Sequence, residues 1–140
     1  YTSINYEEFK MSKSINVPKL RNKEFSGEWK EKKFADIYDF FQTNSFSRAL
    51  LNYESGDVKN IHYGDIHTKF KSNFFINKEE VPFINTEIDI SKIKDENYCQ
   101  IKDLIIADAS EDYNDIGKAI EIIELNGEKL VAGLHTYIYS

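Results

Sequence analysis

LIIADASEDYNDIGKAIEIIELNGEKLVAGLHTYIYS, residues 104–140, is the stretch whose reading decides the fold. Leu104-Ile105-Ile106-Ala107 is a short apolar run of the kind a buried strand needs. Residues 116–125 are rich in β-branched side chains and read as a second strand. Asn126-Gly127 follows. A type I′ turn requires positive φ at both central residues, and Asn and Gly adopt it most readily. The expectation is a hairpin, with residues 129–139 returning as the partner strand. Two polar insertions interrupt this frame: Asp108-Ala109-Ser110 and Ala132-Gly133-Leu134-His135-Thr136. Polar groups set between apolar strands cost free energy unless paired, so both point to a used surface.

Residues 12–33 are polar and Lys-rich, with Phe25 and Trp29 as their apolar points. Trp29 is expected to anchor this arm by burial. Residues 34–41 are dense in Phe, Ile and Tyr and read as a core strand, with a helix the alternative that pattern alone leaves open. Thr43-Asn44-Ser45 supplies cap-type residues. Phe46, Ala49, Leu50 and Tyr53 then share one face of a short helix, ended by Gly56. Arg48 lies off that face and is expected to reach outward. Residues 58–63 form the next strand candidate, broken by Gly64. Residues 65–69 read as a loop. Lys69 and Lys71, with Thr68 and Ser72, form the best basic-polar cluster of the middle of the chain. Residues 73–81 are expected to loop out. Pro82 stands at the first position of a short strand, where proline is tolerated. Residues 88–93 and 97–101 connect onward. Together these elements give an α+β, β-rich fold: a twisted, mostly antiparallel sheet with one or two short helices.

One domain is the natural reading of 140 residues, enough to enclose a core. The lone Cys99 cannot form an internal disulfide, which implies a reducing compartment. No apolar run approaches the ~20 residues of a membrane helix, so a soluble, cytoplasmic chain is expected. The net charge of −6 argues against a free-standing DNA binder. Its distribution softens that objection. Residues 1–33 carry eight Lys/Arg against five Asp/Glu, 34–75 four against five, and 76–140 six against fourteen. The acid is concentrated late, and net charge says little about a local patch.

Most enzyme chemistries lack their parts. Asp108, Ser110, Asp112 and Asn114 alternate as in a calcium loop, but Tyr113 and Ala119 stand where such a loop needs Gly and Glu. The three histidines, His62, His67 and His135, have no zinc-type spacing. Ser110, His135 and Asp108 could form a triad on paper, yet no nucleophile elbow supports it. Only two prolines and six glycines are present, and neither a Gly-rich phosphate loop nor a methyltransferase Asn/Asp-Pro-Pro-aromatic loop is found. No cofactor, metal or catalytic residue is expected.

Four stretches, in order, resemble the specificity subunit of type I restriction-modification enzymes: VPKLR (17–21) with EFSGEW (24–29), NIHYGDI (60–66), ADASEDYNDIGKA (107–119) and VAGLHT (131–136). Their order and approximate spacing are similar to those of that family's first target-recognition domain, and they cover residues 17–136. The family usually carries an aromatic residue where Asn22 stands. The resemblance implies a non-catalytic domain that reads one half of a split target in double-stranded DNA. It implies methyltransferase (modification) and restriction subunits as partners, and spacer helices and a second domain beyond this one. Residues 1–16 read as an N-terminal tail; residues 1–10 resemble nothing in the family and read as an appended or upstream segment, with Met11 where such a subunit would begin. Residues 17–140 read as a single target-recognition domain truncated at its C-terminus.

The DNA-contact candidates are Ser45, Arg48, His67, Thr68, Lys69, Lys71, Ser110, His135 and Thr136. Arginine is the usual reader of guanine and of phosphate. Lysines in a polar loop suit the phosphate backbone. Gly133 would let the backbone approach a partner closely, having no Cβ. His135 has a second reading, a buried histidine bonded to residues 108–110. Two other functions remain open: a metal-dependent nuclease or hydrolase using the acidic loop at 108–115 (Asp108, Glu111, Asp112) with His135, and a protein-interaction module that does not read DNA.

Overall fold

The computed structural model describes residues 17–110 and 114–140. The expected tail and the centre of the acidic loop, Glu111, Asp112 and Tyr113, lie outside the described residues. The chain divides into two compact units, Tyr1–Ile37 and Tyr38–Ser140. In the first, the Arg21 guanidinium donates to the Gly27 carbonyl at 2.7 Å and to that of Phe25 at 3.5 Å, closing a small loop. Phe34–Asp36 form a single 3-10 turn. Trp29 is 66% exposed. Among the described residues of this unit none is buried.

The second unit carries, in order, β1 (Phe40–Phe41), β2 (Leu51–Asn52), β3 (Val58–Ile61), α1 (Tyr63–Thr68), β4 (Asn73–Phe75), β5 (Phe83–Ile84), β6 (Leu104–Ala107), β7 (Ala119–Glu124), β8 (Lys129–Ala132) and β9 (Thr136–Tyr139). One sheet runs β1-β9-β6-β7-β4 and the other β2-β5-β3-β8. The pairs β3/β8 and β4/β7 are parallel, and the remaining pairings are antiparallel. The fold is therefore β-rich α+β and mostly antiparallel, with two sheets where one was expected.

The largest departure is at Asn126-Gly127. The turn forms as its chemistry requires: Asn126 has φ 53° and Gly127 φ 79°. Glu128 N–H closes it on the Leu125 carbonyl at 2.8 Å. Yet β7 and β8 do not pair. β7 joins β6 and β4 in the first sheet, while β8 crosses to lie parallel to β3 in the second, Val58 opposite Lys129 through Ile61 opposite Ala132. Burial explains this. Leu130, Val131 and Ala132 are consecutive and all fully buried, so β8 needs cover on both faces. Leu130 and Ala132 enter the main core, and Val131 packs on the opposite side with Val58 and Ile84. A hairpin on β7 would not provide that second layer. The turn fixes only its own four residues.

The main core lies between the sheets. Ile105, Ala107, Ile120, Ile122 and Ile138 face Ile61 and Leu130, and α1 adds Ile66. Residues 73–81 do not loop out. They contain β4, and Phe74, Ile76 and Val81 are buried there, with Phe74 meeting Phe70 edge-on at 5.1 Å. The expected strand at 34–41 shrinks to β1, and Phe34, Ile37 and Phe40 are exposed. The expected helix after Ser45 is one 3-10 turn, Arg48–Leu50, capped at Ser47 without a side-chain bond. Leu51 then turns into β2, because pairing with Ile84 buries it against the second cluster. The expected loop at 65–69 is instead mostly α1.

β8 ends at Gly133, where the backbone closes on β3. A Cβ there would sit 2.7 Å from the Asn60 side-chain amide and 2.9 Å from the Ile61 carbonyl oxygen. The close approach read in Gly133 thus serves this chain's own β3. Gly133→Ala is expected to destabilise the fold by about 1–3 kcal/mol through overpacking, read as a lower urea midpoint at unchanged slope. Wild-type stability in this variant would show that β3 and β8 are not held in this register.

Candidate functional site

Three chain reversals meet at one corner of the second unit. The first is the β3–α1 junction. His62 has extended backbone, and its Nδ1 accepts from Gly64 N–H at 3.1 Å, capping α1. The second is the β8–β9 turn, where Gly133 N–H donates to the Ile61 carbonyl at 2.9 Å. The third is the end of β6, where Asp108 N–H donates to the His135 carbonyl at 3.1 Å. His67 on α1 completes the ring, its Nε2 donating to the Ala109 carbonyl at 2.7 Å.

All three histidines of the chain surround Tyr63. His62 stacks on it with ring centres 4.6 Å apart; His135 and His67 meet it edge-on at 5.3 and 6.3 Å. His135 is exposed and has φ 59°, a left-handed conformation uncommon for residues other than glycine, though histidine adopts it more often than most. Such strain persists only where the surroundings hold it. Here the Asp108 backbone bond does so, together with a 3.3 Å contact from His135 Nδ1 to Asp108 Oδ1. Tyr137 also bonds to Asp108, which raises its phenol pKa.

Beside this cluster stands a buried carboxylate. Asp65 lies in the first turn of α1 with its side chain 2% exposed. Arg48 grips it with two bonds, Nη2 to Oδ1 at 2.7 Å and Nη1 to Oδ2 at 3.0 Å. Lys69 adds a longer ion pair at 3.9 Å. The Tyr53 hydroxyl accepts from both cations, from Arg48 at 3.1 Å and from Lys69 at 3.2 Å. The Asp65 hydrogen bond raises the Arg48 pKa above its ordinary value, and the Tyr53 bond does the same for Lys69.

The sequence candidates divide accordingly. His67, His135, Arg48 and Lys69 come together at this corner. Arg48 is not free to reach outward as expected, because a buried carboxylate requires a charged partner. Thr68 is exposed and its hydroxyl donates to the Gly64 carbonyl at 2.8 Å. Thr136 is buried, and its hydroxyl donates to the Gly133 carbonyl at 2.6 Å, so it has no surface to offer a ligand. His135 is not the buried residue of its second reading, yet it is tied to the loop at 108–110 as that reading required. Ser110 is half-buried beside Ala109. Ser45 is exposed and caps no helix. Lys71 is exposed and its backbone N–H donates to Glu79 at 3.2 Å.

Sequence reasoning missed Tyr63, Tyr53, Asp65 and the capping role of His62. Only one signal was present: the i,i+4 spacing of Asp65 and Lys69, which pairs them once the segment is helical. Among the described residues, no three His, Cys, Asp or Glu side chains converge as metal ligands. No described helix is long and apolar enough to cross a membrane. No family model and no curated protein matches the chain.

Two predictions follow from the caps and charges. His62 must be neutral to accept from Gly64, and burial, followed by the nearby Arg48 charge, lowers its pKa below the usual 6.5. Its contribution to stability is therefore fully present above about pH 6.5 and is lost as pH falls from there through the lowered folded value. His62→Asn keeps an N-cap acceptor without the titration, so its melting temperature should fall less than wild type between pH 7 and 5. Parallel pH profiles would exclude the cap role. The Arg48–Asp65 pair should be asymmetric. Arg48→Ala strands a buried carboxylate and is expected to cost about 3 kcal/mol. Asp65→Asn leaves a half-exposed guanidinium that water can solvate and should cost less. Equal losses in chemical denaturation would contradict that asymmetry.

Proposed function

We propose that the chain is a sequence-specific reader of double-stranded DNA that catalyses nothing itself. It reads one half of a split target in a restriction-modification assembly, alongside methyltransferase and restriction subunits. The observation that carries this reading is the convergence just described. NIHYGDI, the start of ADASEDYNDIGKA and VAGLHT are far apart in sequence. Each carries part of the family resemblance. Their backbones bond to one another at a single corner through Ile61, His135 and Asp108.

The chemistry of that corner suits the task. Asp108 lies against Nδ1 of His135, so the opposite ring nitrogen, Nε2, is left to address a base edge. Neutral, it accepts from an exocyclic amine; protonated, it donates to a purine acceptor. Arg48 and Lys69 supply cations beside it. The aromatic edges of Tyr63 and Tyr137 add apolar contact of the kind that meets a thymine methyl.

Selection from a pool of duplexes with a randomised core, at low salt, tests the reading. The expected outcome is enrichment of one short motif, the half-site of a split target. His135→Ala should flatten preference at one position by about 1–3 kcal/mol while stability changes by about 1 kcal/mol or less, since the histidine pair is exposed. A pool that emerges with no motif above its input would sink the proposal. A motif unchanged in His135→Ala would remove that residue from the reading surface.

A further inference from the structure

We propose that Arg48 and Lys69, bridged by the Tyr53 hydroxyl and anchored on the buried Asp65, form a clasp for one phosphodiester of the duplex backbone. This rests on the DNA-reading proposal and deepens it. It gives Arg48 a different task from the guanine reading that its residue type suggests.

The geometry carries the inference. Both cations donate to the same phenol oxygen, at 3.1 and 3.2 Å. Both also approach the same carboxylate oxygen, Asp65 Oδ1, at 2.7 and 3.9 Å. Lys69 Nζ can be no further from Arg48 Nη1 than the sum of the two phenol contacts, and no further from Nη2 than the sum of the two carboxylate contacts. Like charges this close repel, and the fold holds them together before any ligand arrives. The bidentate grip on Asp65 fixes the guanidinium plane, and Lys69 also lies 5.0 Å above the Tyr53 ring, a favourable cation–π distance. Preorganisation of this kind removes ordering cost from binding.

The charges are also unbalanced toward the solvent. One buried carboxylate faces two cations, and the Arg48 and Lys69 side chains are 45% and 42% exposed. Among the described residues, the further counter-charge in reach is Glu80, 3.8 Å from Lys69 and 75% exposed. An ion pair so open to water contributes little and is readily displaced. A phosphodiester carries a single negative charge and matches what remains. The end-on fork of Arg48 holds Asp65, and its Nη1 also donates to Tyr53, so only its remaining N–H groups face a ligand, beside the Lys69 ammonium. A phosphate oxygen needs only the outward N–H groups and a neighbouring ammonium.

The test uses the same chain with Lys69→Gln, Lys69→Arg and Tyr53→Phe, titrated against a short duplex across a salt series by fluorescence anisotropy. Inorganic phosphate is titrated separately by thermal shift. Lys69→Gln should weaken the selected and scrambled duplexes by the same factor and reduce the slope of log affinity against log salt by about one. Lys69→Arg should restore the slope. Tyr53→Phe, which keeps the ring, should weaken both duplexes several-fold without altering preference. A residue that merely braced Asp65 would move the melting temperature and leave the salt slope alone. A wild-type slope in Lys69→Gln, with duplex still bound, overturns the clasp and leaves DNA reading standing. Lost preference at one base position in Lys69→Gln overturns it too, since that marks a base contact. Failure of the wild type to bind any duplex overturns both proposals. Protection by inorganic phosphate without duplex binding assigns the site to a free anion and likewise overturns the clasp.

Discussion

The parallel pairing of β3 with β8 is the constraint on which the rest of the second unit depends. It places a strand that is apolar on both faces between the two hydrophobic clusters of this unit. One face contributes Leu130 and Ala132 to the main core, and the other contributes Val131 to the smaller cluster. The pairing also continues past its last residue, where Gly133 N–H reaches the Ile61 carbonyl. That contact brings the β8–β9 turn against the start of α1. Without it His135 would not face Tyr63, and the three-histidine cluster would not exist. A side chain larger than hydrogen at position 133 has no room, so packing and site geometry rest on the same atom.

A second dependence runs through Asp65. A carboxylate with 2% of its side chain exposed is costly unless charged partners surround it. Arg48 comes from a 3-10 turn, and Lys69 is the C-cap of α1. The carboxylate therefore ties a loop of weak intrinsic structure to the helix and gathers two cations on a chain whose net charge is −6. A global count of charge misses such a place, because the field near a surface follows local arrangement. Part of the acid in residues 76–140 reaches that place, since Glu80 lies 3.8 Å from Lys69, but on a side chain 75% exposed.

His62 links these two features. It leaves β3 extended, caps α1 through a neutral ring nitrogen, and stacks on Tyr63. One side chain thus sets where the strand ends, where the helix begins and how the central tyrosine is oriented. The Arg48 charge acts on its titration, so the capping site and the cationic site are electrostatically coupled. Proton binding at one bears on the other.

The sequence by itself determined the local elements whose signals are complete within a few residues. β6 is legible in four apolar residues, β3 in the strand candidate that Gly64 ends, and the Asn126-Gly127 turn in its need for positive φ. The β-rich class follows from these. Tertiary structure decided which strands pair. The turn constrains four residues, whereas the route of β8 is set by the need to bury three consecutive side chains on two faces, a demand that no local pattern resolves. The same holds at the site. His135 and Lys69 could be named from residue type and loop chemistry. The commitment of Arg48 to a buried carboxylate could not, because Asp65 looks like any surface acid until α1 packs its face inward. The inward turn of Thr136 and the gathering of every histidine around Tyr63 likewise depend on contacts between residues dozens of positions apart, and only the packed chain contains those.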